Sequence, residues 1–239
     1  MDIKGKTAVV TGGTDGIGLW IARKLKARGA TVIVCGRRAD RLEAARGEGF
    51  EAVSADLSSE AGVTTFAGVM ATRTVDILIN NAGAGVDYDL NGTVDLDGSD
   101  RTIFLNLNAP IRLAAAFVPQ LRTRPEAALV NVTSGLAIAP RAGGPVYCAT
   151  KAGLRSFTKA IRYQLRDSNV KVIEALPPVV ETAMTAGRSG NKMAPEACAE
   201  QIVSAIENGR KEANVGLVKV LKLVHSISPS LAERIMIRF

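Results

Sequence analysis

The sequence predicts a doubly wound α/β fold: one domain of three layers, with helices covering both faces of a parallel sheet. Two observations predict it. Short β-branched runs alternate along the chain with longer helical patterns, which is how right-handed βαβ crossovers read in sequence. The strand candidates are also nearly continuous apolar runs, as burial on both faces requires. A length of 239 residues suits one large core, and no fixed-period repeat or low-complexity linker divides the chain.

In order, the strand candidates are residues 7–11, 31–35, 52–54, 77–80, 128–132 and 171–176. The helical stretches between them begin after Gly16, where Ile17, Trp20, Ile21 and Leu25 share one face, and continue at about 39–46, 59–70, 100–121 and 147–166. Pro195 opens a further helix and Gly209 closes it. Residues 179–194 contain Gly187, Ser189, Gly190 and Asn191 with few apolar anchors and read as a lid loop over a site. In the tail, 217–239, Leu217, Val220, Leu221, Val224 and Ile227 recur at helical spacing. A second short helix is expected from Ser230, with Glu233 completing a capping box and Leu231, Ile235 and Met236 on its apolar side. The tail is expected to dock on its own or a partner subunit, and contact with an anionic membrane surface is the alternative.

Composition removes several function classes. The net charge is +7, but Lys and Arg are scattered and aromatic residues make up only 4 %, so no nucleic-acid surface is expected. A basic surface also favours a phosphate-bearing small ligand. Cys35, Cys148 and Cys198 lie far apart and are odd in number, so they predict neither a disulfide framework nor a metal site. They read as small buried thiols in a reducing cytoplasm. His225 is the single histidine, too few for a metal cluster or a hydrolase triad. There is no run of about 18 apolar residues to span a membrane, and the opening MDIKGKTAVV reads as a first strand, not a signal peptide.

The first strand ends in Thr11-Gly12-Gly13-Thr14-Asp15-Gly16-Ile17-Gly18 and enters a helix directly. Glycines at Gly12, Gly16 and Gly18 allow a tight turn and let the backbone approach a pyrophosphate at the positive end of the helix. This is the dinucleotide cradle of a Rossmann-like fold, provided it follows the first strand of a βαβ unit. The second strand ends in Gly36-Arg37-Arg38, with no acidic residue before Asp40. An acidic residue here would accept from a ribose 2′-hydroxyl, whereas arginine pairs with a 2′-phosphate. The expected cofactor is therefore NADP(H), with NAD(H) as the alternative, and Asp15 is the one residue that argues against the phosphate.

Tyr147 and Lys151 stand four apart at the start of a predicted helix and share a face. An ammonium beside a phenol favours the phenolate and prepares it for proton transfer. Ser134 lies just beyond a strand, within reach of a substrate carbonyl oxygen.

Together these segments resemble the short-chain dehydrogenase/reductase family. The resemblance runs from about Lys6 to about Thr182 through TGGTDGIG, Asp56-Leu57, Asn80-Asn81-Ala82-Gly83, Asn106, the serine of NVTSG and YCATK. VIVCGRR, NLNAPIRL, YCATKAGLRSFT and LPPVVET are most similar to a bacterial branch, the oxidoreductase encoded with D-alanylation genes. The resemblance implies interconversion of a ketone or aldehyde and its alcohol by hydride transfer. It implies Tyr147 as general acid/base, Lys151 as the group that tunes it and holds the nicotinamide ribose, and Ser134 as the group that polarises the carbonyl. Asn106 would bind a water of a proton relay, with Asn108 as the alternative. Asp56 and Leu57 would meet the adenine, and Asn81, Ala82 and Gly83 the adenosine side. Pro177, Val180 and Thr182 would lie near the nicotinamide. The chain departs from the family in carrying Pro177-Pro178 where Pro-Gly is usual, and the second proline removes an N–H. A homodimer or homotetramer is implied as well. A cofactor-binding regulator without turnover is the competing class, although Tyr147 and Lys151 are both present. Residues 82–89 and 136–146 are expected to form the substrate walls with Ala84, Gly85, Val86, Leu136, Ile138 and Val146, and Arg141 is placed to meet an anion.

Overall fold

The computed structural model describes residues 1–187 and 189–238. Arg188, within the expected lid, and Phe239, at the end of the tail, lie outside the described residues. Seven strands form one sheet: β1 (Thr7–Thr11), β2 (Thr31–Gly36), β3 (Glu51–Ser54), β4 (Ile77–Asn80), β5 (Ala127–Val132), β6 (Val170–Leu176) and β7 (Glu212–Asn214). Their order is β3-β2-β1-β4-β5-β6-β7, and every pairing is parallel. The chain runs outward from β1 in one direction and from β4 in the other. The crevice at the carboxyl ends of β1 and β4 is therefore the switch point where such folds bind ligands.

Alternation along β1 explains the two cores. Ala8 and Val10 point to the layer of α1 (Gly16–Ala27) and α7 (Pro195–Glu207), packing with Ile21, Leu25, Ile202 and Ile206. Val9 points to the opposite face, where α3 (Glu60–Ala71), α5 (Ala109–Leu121) and α6 (Pro145–Gln164) supply Phe66, Met70, Leu113, Phe117 and Ile161. Each large side chain fully buried here contributes about 1.5–3 kcal/mol of transfer free energy. The remaining helices are α2 (Ala39–Gly47), α4 (Leu96–Ile103), α8 (Val218–Ile227) and α9 (Pro229–Met236).

Three expectations are corrected. The helix expected over 100–121 starts earlier, because Asp95 accepts from the Gly98 N–H and caps α4. It is then interrupted by one π-helical turn, Phe104–Asn108, which turns the Asn106 side chain inward. The run Leu96–Leu121 passes for a membrane span by length and composition. Ala109, Leu113, Phe117 and Leu121 nevertheless belong to the core. Second, α9 is capped by Ser228, whose hydroxyl accepts from the Leu231 N–H at 3.3 Å, not by Ser230. Third, β7 lay outside the expected strands. It has three residues, carries Glu212 and Asn214, and pairs only with β6. The segment 179–194 turns back on itself: Val180 bridges to Met193, and the Met193 N–H donates to the Val179 carbonyl at 3.0 Å. Cys35, Cys148 and Cys198 are free and buried, and burial pushes the Cys35 and Cys198 thiols up to about 12.

Candidate active site

Thr11 closes β1 and stitches it to β4. Its hydroxyl donates to the Ile79 carbonyl and accepts the N–H groups of Asn81 and Ala82, each at 3.0 Å. The Asn81 amide in turn donates to the carbonyls of Thr11 at 3.0 Å and Gly12 at 3.3 Å. This lattice holds the glycine turn at the switch point. Gly12 and Gly16 have φ of +62° and +52°, which only glycine adopts without strain. A Cβ on Gly18 would overlap the Gly12 carbonyl oxygen and the Asn81 side chain. The turn is thus an open backbone groove at the start of α1, the right shape and polarity for a pyrophosphate. Thr182, beyond β6, lies across it, its methyl 3.2 Å from where a Gly16 Cβ would be.

Beyond the end of β2, three arginines each face an aspartate. Arg37 is 3.8 Å from Asp56, and both side chains are more than half exposed. Arg38 binds Asp40 through two hydrogen bonds, at 3.1 and 2.5 Å. Arg41, in the first turn of α2, binds Asp15. Burial pushes the Asp56 carboxyl up, but hydrogen bonds from Ser58 and the nearby Arg37 outweigh that and hold it below the usual range. Leu57 is buried beside it.

At the other end, Ser134 follows β5, and Tyr147 and Lys151 occupy the first turns of α6. The Ser134 oxygen accepts from the Leu136 N–H at 3.1 Å, which leaves its own proton to donate. Lys151 is buried, and its ammonium donates to the Val132 carbonyl at 2.9 Å. Desolvation pulls that ammonium down to about 8. It lies 5.7 Å from the centre of the Tyr147 ring. Asn106 is fully buried behind this pair. Its amide accepts from the Ala84 N–H and donates to the Ala84 carbonyl, both at 2.9 Å, and donates to the Thr150 hydroxyl at 3.1 Å. Gly83 separates it from Lys151: a Cβ there would meet Asn106 at 3.2 Å and the Lys151 nitrogen at 3.5 Å.

One continuous cleft of about 1340 Å³ joins both ends. Every residue assigned to the cofactor from the sequence lines it, as do Ser134, Tyr147 and Lys151, whereas Asn106 does not reach its surface. The expected substrate walls are corrected. Leu136 and Arg141 line the cleft, but Ala84, Gly85, Val86, Ile138 and Val146 do not. The apolar wall comes instead from the tail, through Val218, Leu221, Val224, Ile235 and Met236. A Cβ on Gly135 would touch Val218 at 3.0 Å, so α8 leans directly on the segment after Ser134. Sequence reasoning also missed a buried network beside Ser134. The Thr133 hydroxyl donates to Glu174 at 2.8 Å, and Arg155 pairs with the same carboxylate at 2.8 Å. Only the position of Arg155, four residues after Lys151, hinted at it.

The arrangement can hold a dinucleotide across the switch point and place two hydroxyls and a buried amine at its far end. Comparison with known proteins agrees. An uncharacterized oxidoreductase of Bacillus subtilis, DltE, is 42 % identical over 190 residues, 77 % of this chain and 75 % of its own. A short-chain dehydrogenase of Burkholderia cenocepacia, solved in complex with NADP, superposes with a TM-score of 0.89 over 99 % of both chains at 25 % identity. One from Burkholderia phymatum, solved in complex with NAD, shares the fold with a TM-score of 0.82 over 97 % of this chain and 96 % of its own, at 20 % identity. The model of the short chain dehydrogenases matches residues 6–192, and the chain belongs to this family of oxidoreductases.

Proposed function

We propose that this protein is an NADP(H)-dependent reductase of ketones or aldehydes, acting in the cytoplasm as a homodimer or homotetramer. The observation that carries the reading is that Ser134, Tyr147 and the buried Lys151 line the same cleft as the glycine turn. NADPH would supply the hydride to the carbonyl carbon. The Ser134 hydroxyl, held by the Leu136 N–H, donates to the carbonyl oxygen and fixes its direction. Tyr147 donates the second hydrogen bond and transfers its proton as that oxygen gains charge. Lys151 stabilises the phenolate left behind, and Asn106 supports the path by which the proton returns. Hydride and proton together convert the carbonyl to an alcohol, and the same groups serve the reverse direction.

NAD(H) use is the second reading, and one observation favours it: Arg37, Arg38 and Arg41 each already face an aspartate. The Arg37–Asp56 pair is exposed and long, and such a pair contributes about 0–1 kcal/mol, so a 2′-phosphate competes with it easily.

The test follows NADPH consumption with a panel of ketones and aldehydes, comparing the native chain with Tyr147→Phe. The variant should lose about a hundredfold or more of the rate while still binding NADPH. Equal rates in the two proteins would remove the mechanism.

A further inference from the structure

Arg141 differs from the other half-buried arginines among the described residues. Those others are satisfied. Arg23 pairs with Glu48, Arg28 with Glu200, Arg41 with Asp15, Arg124 with Asp76 and Arg155 with Glu174, while Arg162 donates to two backbone carbonyls. Arg141 is half-buried and lines the cleft, yet its Nε is buried with no hydrogen-bond partner, and its side chain pairs with no described residue. Burying an unpaired cationic group opposes folding unless something offsets it. The Arg141 Nη groups are not covered, and none of the described residues pairs with them.

The local backbone holds the guanidinium in place. It lies against Gly143 and Gly144, where a Cβ on Gly144 would come within 3.1 Å of Nη2 and 3.2 Å of Nε. On one side the Arg141 carbonyl is 3.9 Å from the Cys148 thiol, and on the other the Ala142 N–H donates to the Ile237 carbonyl of the tail at 3.0 Å. Arg141 thus stands just before α6, which begins two residues ahead of Tyr147, and its neighbour Ala142 is tied to the tail. It is remote from the arginines beside the adenosine site, because β1 and β4 separate β2 from β5. Three strand spacings are about 14 Å. The 2′-phosphate is therefore not its partner.

We propose that Arg141 binds a carboxylate on the substrate, so that the substrates are oxo acids whose carbonyl reaches Tyr147 and whose carbon chain lies against Leu221, Val224, Ile235 and Met236. Only the Nε of the fork is covered, so the two Nη groups stay accessible and favour end-on, two-point recognition of a carboxylate. This rests on the reductase reading above, but its test needs no turnover. The NADPH-loaded protein is titrated by calorimetry with octanoate and with octanamide, which match in length and differ in charge. Octanoate should bind about tenfold or more tightly than octanamide, the ratio expected for a charge-assisted hydrogen bond. In Arg141→Gln the two should bind within about twofold of each other, while Arg141→Lys, which keeps the charge but not the fork, should retain part of the preference. Equal binding of the two probes by the native protein, or a preference that survives in Arg141→Gln with an unchanged melting temperature, would overturn the assignment. Loss of NADPH binding, or turnover indifferent to Tyr147, would instead strike at the reductase reading.

Discussion

The Lys151 ammonium stands 5.7 Å from the centre of the Tyr147 ring and is anchored by a 2.9 Å hydrogen bond to the Val132 carbonyl. One bond cannot replace the water lost on burial, so the amine is pulled from 10.5 down to about 8. The amine still carries its charge at pH 7, and holding that charge out of water costs stability.

That cost predicts the behaviour of Lys151→Met. A lysine whose folded value lies below its unfolded value opposes folding while it is charged. The penalty is complete below about pH 8 and fades as pH rises toward 10.5. Part of it is recovered on removing the amine and part is lost by leaving the Val132 carbonyl unpaired, so the variant should be about 1–3 kcal/mol more stable at pH 7. Turnover should vanish. Thermal unfolding at pH 7 and at pH 10 checks this, and the gain should shrink at the higher pH.

The glycine turn predicts a contrast between two substitutions of the same kind. Gly18→Ala forces a methyl into the Gly12 carbonyl and the Asn81 side chain, so the turn must open. Cofactor affinity should fall by about tenfold or more, since backbone groups must hold an anion at hydrogen-bond distance. Gly68→Ala, on the exposed face of α3, meets nothing within 4 Å. It should stabilise the fold by about 0.5–1 kcal/mol and leave cofactor binding alone. Fluorescence titration with NADPH and thermal melts of both variants check the pair.

What was legible in the sequence was what local spacing encodes. Gly12, Gly16 and Gly18 announce a turn because no other residue fits it, and Tyr147 and Lys151 share a face because four residues make about one helical turn. β1 and β4 were read to the residue because their apolar runs are bounded by turns. Contacts across the fold leave no such trace. Asn106 turns inward to bind Ala84, 22 residues away, and the π-turn this imposes lies inside an apolar stretch that reads as one helix. β7 has three residues, two of them polar, and is a strand only because β6 offers it an edge. The tail's helical stripe was visible, but not that it would wall the cleft.

On the NADP(H) reading proposed above, cofactor choice would turn on two arginines with different duties. Arg37 stands in an exposed pair with Asp56 and would engage a 2′-phosphate, whereas Arg41 pairs with Asp15 inside the glycine turn. Arg37→Ala should weaken NADPH binding by about tenfold or more and NADH binding little. Arg41→Ala leaves the Asp15 carboxylate facing the pyrophosphate and should weaken both cofactors alike. Dissociation constants of the two dinucleotides for each variant separate these duties. A loss of equal size for both cofactors in Arg37→Ala would favour NAD(H).

The tail makes the last prediction. Val218 presses on the segment after Ser134, and Leu221, Val224, Ile235 and Met236 face the cleft, while the glycine turn and the three arginines lie on other elements. Substrate and cofactor sites should therefore separate when residues 217–239 are removed. NADPH should still bind within about threefold, because no residue assigned to it lies in 217–239. The KM for an apolar ketone should rise by about tenfold or more, each buried methylene being worth about 0.8 kcal/mol. Leu221→Ser changes the same wall by one residue and should move KM in the same direction with NADPH affinity unchanged. A truncated chain that keeps its KM would mean that the substrate does not lie against the tail.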